Sequence, residues 1–65
     1  MKFSNNYINK IYRYLKLHNG QVIFRYEMAD DLRITQPTLR KYLRWLQDRD
    51  LIKIWRHRIW VNQEF

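Results

Sequence analysis

The chain has 65 residues, no cysteine, and thirteen Lys and Arg against six Asp and Glu. A chain of this length forms one domain, 1–65, that buries only about 60% of its unfolded surface on folding. Disulfide staples, cysteine metal sites and thiol nucleophiles are excluded by composition. The net charge of +7 points instead to a polyanionic partner, nucleic acid before an anionic membrane.

The charge is unevenly spread. Residues 1–20 carry Lys2, Lys10, Arg13 and Lys16 and no acid. Residues 21–32 hold Arg25 against Glu27, Asp30 and Asp31. From Arg33 to Arg58 eight cations face only Asp48 and Asp50, and Glu64 closes the count. The polar start, Met1-Lys2-Phe3-Ser4-Asn5-Asn6, does not read as a signal peptide, and no apolar run reaches spanning length. An intracellular protein of cytoplasm or nucleoid, neither secreted nor membrane-bound, is therefore expected.

In chain order, Asn5 to Leu17 reads as an amphipathic helix with Ile8, Ile11 and Leu15 at helical spacing. Ser4 or Asn5 can cap its start, and Asn19-Gly20 is a usual stop. Val22-Ile23-Phe24 is long enough only for a brief strand or connector. Arg25 to Leu32 follows as a short helix carrying Met28, Ala29 and Leu32, and Arg33-Ile34-Thr35 makes a tight connection.

The third helix, about 36–48, is the best-defined element. Thr35 is its expected N-cap, and Pro37 falls in the first turn, where a missing N–H does no harm. At ~100° per residue, Leu39, Tyr42, Leu43 and Leu46 share one stripe, while Arg40, Lys41 and Arg44 lie within ~100° of arc on the opposite side. Trp45 borders the apolar stripe and is expected to pack against the following hairpin.

After Asp50 the period changes from 3.6 to 2. Leu51 to Trp55 and Ile59 to Asn62 have strand composition, with Arg56-His57-Arg58 between them. Setting Trp55 opposite Trp60 puts Ile52, Ile54, Ile59 and Val61 on one face and the two Trp on the other. With no Gly or Asn at the tip, a four-residue loop is expected rather than a tight two-residue turn.

The ordered run from Glu27 to Ile54 resembles a winged helix-turn-helix DNA-binding domain. Glu27-Met28-Ala29 stands where that family has a Glu-Leu-Ala-like helix start, and Leu32-Arg33-Ile34-Thr35 where it has a Leu-Gly-Ile/Val-Ser/Thr turn. Thr38-Leu39, Leu43 and Leu46 match the inward positions of its recognition helix, and Asp50-Leu51-Ile52 its Gly-Leu-Ile lead into the wing. Arg33 and Asp50 depart from the pattern by replacing glycine, so the turn after Leu32 is expected to be less standard than in the family. The resemblance implies a small α+β winged helix-turn-helix fold: three helices, a short strand and a C-terminal β-hairpin wing.

It also implies double-stranded DNA as partner, with helix 36–48 in the major groove. Gln36, Thr38, Arg40, Lys41 and Arg44 are the expected groove contacts; Gln can pair bidentately with adenine and Arg with guanine. Arg56, His57 and Arg58 at the wing tip are expected on flanking backbone or in a minor groove. The Thr35 end of the helix can accept a phosphate. Lys10, Arg13 and Lys16 are secondary candidates, set against a merely solvated helix face.

The small size resembles transcriptional regulators of phages, plasmids and other mobile elements. The limited core makes homodimerisation through the first helix or the outer hairpin face an expectation. No enzyme is expected, since nothing offers a nucleophile, a paired carboxylate or a phosphate-cradling glycine loop. His18 and His57 have no companions at ligand spacing, so no metal, cofactor or small-molecule ligand is expected. Two alternatives stay open. One is a winged-helix module that binds and inhibits a partner protein through an apolar patch such as Tyr14, Trp55 and Trp60. The other is an RNA or single-strand binder that stacks bases on the two Trp.

Overall fold

The computed structural model describes residues 4–62; Lys2 and Glu64 of the charge count, and Met1-Lys2-Phe3 of the polar start, lie outside them. Three helices, α1 (Asn5–Leu17), α2 (Arg25–Leu32) and α3 (Gln36–Asp48), precede two strands, β1 (Ile52–Trp55) and β2 (Arg58–Val61). The strands form an antiparallel hairpin. Together they make a small α+β arrangement with a winged-helix layout. No helix among the described residues is long and apolar enough to cross a membrane.

The apolar stripes of the sequence converge on one core. Ile8, Ile11, Tyr12 and Leu15 of α1 meet Met28, Ala29 and Leu32 of α2, then Leu39, Tyr42, Leu43 and Leu46 of α3. Ile52 and Ile59 close it from the hairpin, and Ile23 from the connector. At roughly 25 cal/mol per Å2 of apolar surface, each buried Leu, Ile or Met of this set contributes on the order of 1.5–3 kcal/mol.

Helix ends follow local chemistry. Thr35 caps α3 as expected, its Oγ1 accepting from the Thr38 amide. Ser4 is the N-cap residue of α1, yet its hydroxyl makes no capping bond. Its backbone N–H instead donates to the Tyr42 hydroxyl at 2.8 Å, which joins the start of α1 to the middle of α3.

The turn after Leu32 corrects an expectation. Arg33 takes the left-handed conformation, φ 57°, itself. Its N–H donates to the Asp30 carbonyl and the Ile34 N–H to the Ala29 carbonyl, the paired bonds of a Schellman ending. Asp50 repeats the device after α3: φ is 58°, with Asp50 N–H to Gln47 and Leu51 N–H to Leu46. Ile34 and Leu51 then pack on the core. The bonds and the partly buried side chain that follows hold each backbone where glycine would sit more cheaply, so the turn is regular without it.

The hairpin keeps its expected faces but not its expected register. Ile52 pairs with Val61, Lys53 with Trp60, Ile54 with Ile59 and Trp55 with Arg58. Trp55 and Trp60 are thus not opposite each other, and the loop is the two residues Arg56-His57. The slip is two residues, which leaves every side chain on its face. Two features account for it. Arg56 supplies the positive φ, 57°, that a tight loop needs. The outer edge of β2 is pinned by residues 19–23: Gly20 N–H donates to the Ile59 carbonyl, Ile23 N–H to that of His57, and Val61 N–H to Asn19 Oδ1. Val22 forms a bridge with Arg58, so the brief strand expected at 22–24 is reduced to this edge.

Candidate nucleic-acid interface

The apolar stripe of α3 fixes where its cations go. Because Leu39, Tyr42, Leu43 and Leu46 are buried, Arg40, Lys41 and Arg44 are turned outward, and all three are exposed. Gln36, the first residue of α3, is exposed as well. Thr38 is half-buried, and its hydroxyl accepts from the Thr35 hydroxyl at 2.8 Å. Thr38 therefore belongs to the cap of α3 as much as to any outward surface.

Arg40 and Arg44 do not stand alone. They line an open cleft of about 420 Å3 with Arg25, Gln47 and Asp48, floored by Leu43 and Ile54. Arg25 is the first residue of α2, placed by the sequence in the acidic interruption. Only the packing of α2 on α3 brings its guanidinium beside the other two. Glutamine and arginine in one cleft give donors and acceptors suited to base edges, and three guanidinium groups suit phosphate oxygens. Asp48 is the acid on that lining. Lys41 is exposed on α3 outside the cleft lining.

The tip residues divide. Arg56 is exposed, with its guanidinium carbon 5.6 Å from the centre of the Trp55 ring. The His57 ring lies tilted against Phe24, the ring centres 4.9 Å apart, and Phe24 in turn lies 5.8 Å from Tyr26. Arg58 donates from one guanidinium nitrogen to the Gly20 carbonyl at 2.9 Å, so it fastens the wing to the loop after α1 while remaining exposed. Lys10, Arg13 and Lys16 are exposed along α1 and none of them lines the cleft of Arg40 and Arg44; Lys16 sits 5.9 Å from the Tyr12 ring.

The other conspicuous aromatics are engaged. Trp45 is partly buried against the core, with the Arg49 guanidinium 4.3 Å from its ring centre. Trp60 is half-buried over Gly20, whose missing side chain leaves room for it. Tyr14 is half-buried and donates its hydroxyl to Asp31 at 3.0 Å. Partial burial first, then the carboxylates of Asp31 and Glu27, push the Tyr14 phenol above its ordinary value. Tyr14, Trp55 and Trp60 thus do not form one exposed patch; Trp55 is the exposed member. Among the described residues no group of three or more His, Cys, Asp or Glu is placed to hold a metal ion.

Comparison with protein-family models, with curated proteins and with solved structures finds no match for this chain.

Proposed function

We propose that this protein is a sequence-specific double-stranded DNA-binding protein of the winged helix-turn-helix type, acting as a small transcriptional regulator such as those of phages or mobile elements. The observation that carries the reading is the outward face of α3. Arg40, Lys41 and Arg44 are exposed there, and Arg25 shares the cleft of the two arginines. The major groove of B-DNA admits one α-helix. In this reading α3 enters it, Gln36 and Arg40 meet base edges, and Lys41, Arg44 and Arg25 hold phosphates. Arg56 and Arg58 lie on the flanking backbone or in the minor groove.

The test is selection of bound sequences from a random duplex pool. The reading requires a common motif to emerge over successive rounds; a pool that stays random sinks sequence-specific recognition. A palindrome with half-sites about 34–36 Å or a multiple apart would in addition report a homodimer.

One observation favours a second reading, a module that binds and inhibits a partner protein. Val22, Phe24, Tyr26 and Trp55 are large apolar side chains left exposed around the wing. A surface of that kind in a small domain often serves protein contact. That reading needs no DNA motif and no role for Arg40 or Arg44.

A further inference from the structure

The outer face of the hairpin carries a feature that groove binding by α3 does not use. Trp55 lies across the hairpin from Arg58, and Val22 bridges Arg58 from the other edge. These three, with Arg56 and His57, line a cleft of about 310 Å3 at the wing tip. Trp55 is 62% exposed, an unusual position for the largest apolar side chain.

Its neighbours are held rather than loose. The Arg58 guanidinium is fixed by its bond to the Gly20 carbonyl, which uses one of its five N–H donors. The His57 ring is braced by Phe24. The Arg56 guanidinium lies over one face of the Trp55 ring, its carbon 5.6 Å from the ring centre, so a stacking base would take the other face. A flat aromatic surface that shares its cleft with two arginines suits a planar ring that carries a negative charge. A nucleotide has that chemistry: its base stacks on an aromatic side chain and its phosphate takes arginine donors. A volume at the lower end of small-ligand clefts fits one such unit rather than a run of them.

Inside a duplex both faces of each base are covered by its neighbours, so there the Trp55 ring can stack only on a base that has left the stack. We propose that the wing-tip cleft seats one unpaired DNA nucleotide flanking the duplex, its base against Trp55 and its phosphate on Arg56 and Arg58. This rests on the DNA-binding reading and adds to it a preference for duplex that adjoins single strand.

The experiment compares, by fluorescence anisotropy, a blunt duplex with the same duplex bearing a short thymidine overhang at either end. Wild type should bind one overhang form about fivefold or more tightly than the blunt form. Trp55→Ala should abolish that advantage, Trp55→Phe should keep part of it, and Arg40→Ala should weaken both DNAs alike. Equal binding of blunt and overhang duplexes overturns the proposal, and so does an advantage that survives Trp55→Ala. If no duplex binds, the proposed function fails and the cleft is judged separately, from quenching of tryptophan fluorescence by a short oligothymidylate. Quenching that Trp55→Phe removes supports the cleft; no quenching, or quenching unchanged in Trp55→Phe, overturns it.

Discussion

Trp60 lies against Gly20 so closely that a Cβ on Gly20 would come within 3.1 Å of the indole nitrogen. Gly20 also holds φ at +75° and bonds β2 through both its N–H and its carbonyl. One position thus combines a left-handed backbone, a close approach and two attachments of α1's loop to the wing. Gly20→Ala should destabilise the protein by about 1–2 kcal/mol. In a domain of this size each kcal/mol lowers Tm by roughly 4–8 °C, so a thermal melt reads it directly. An unchanged Tm would show that Trp60 and the loop shift without cost.

Arg33 and Asp50 make the opposite prediction. Both hold φ near 57° without being glycine. Relief of the left-handed cost is partly offset by the extra backbone freedom of glycine in the unfolded chain. Arg33→Gly should therefore raise stability by up to about 1 kcal/mol, and Asp50→Gly by less, since Asp tolerates that conformation better. The midpoint of urea unfolding measures both.

Tyr14 and Asp31 tie α1 to α2 at the surface. The Tyr14 phenol is raised above its ordinary value of 10.0 by burial and by nearby carboxylates. The folded state then keeps this proton at pH values where the unfolded chain has released it. Its contribution is complete below the unfolded value and is lost as pH rises above 10 through the raised value. Stability measured from pH 8 upward should fall more steeply in wild type than in Tyr14→Phe. The variant itself should lose no more than about 1 kcal/mol at neutral pH, from one exposed hydrogen bond.

Arg56 and Arg58 should separate in their effects although both are exposed at the wing. Arg58 bonds the Gly20 carbonyl, so Arg58→Ala should cost about 1 kcal/mol of stability and also weaken DNA binding. Arg56 sits at positive φ, so Arg56→Gly should leave stability equal or higher while removing a cation. Paired urea titrations and DNA-binding curves on the two variants distinguish them.

Much of this architecture is written locally in the sequence. The periodic placement of Ile8, Ile11 and Leu15, the set Met28, Ala29 and Leu32, the Thr35-Gln36-Pro37 start and the Leu39–Leu46 stripe give helix bounds that agree with α1, α2 and α3. The outward cations of α3 followed from the same stripe, since burying one face exposes the other. The hairpin register did not follow, because it depends on Arg56 adopting a conformation that its residue type disfavours and on edge bonds from residues 19–23. Arg25 was equally hidden. Its neighbours in sequence are acidic, and only the packing of α2 on α3 sets it beside Arg40 and Arg44. The same holds for the split between Trp55 and Trp60, which turns on what lies beneath each ring rather than on composition.

The central claim is that the face of α3 and the wing tip meet a polyanionic duplex. Six cations are assigned to that contact: Arg25, Arg40, Lys41, Arg44, Arg56 and Arg58. The most direct measurement is duplex affinity by fluorescence anisotropy across a salt series, for wild type and for Arg40→Ala/Arg44→Ala. With about five or six phosphate contacts, log K should fall against log salt with a slope near −5. The double variant should lower that slope by about 1 through loss of the Arg44 phosphate contact, and weaken binding further through loss of the Arg40 base contact. It should keep its melting temperature, because both side chains are exposed. Absence of duplex binding at low salt, or a slope unmoved by the double substitution, would contradict the account.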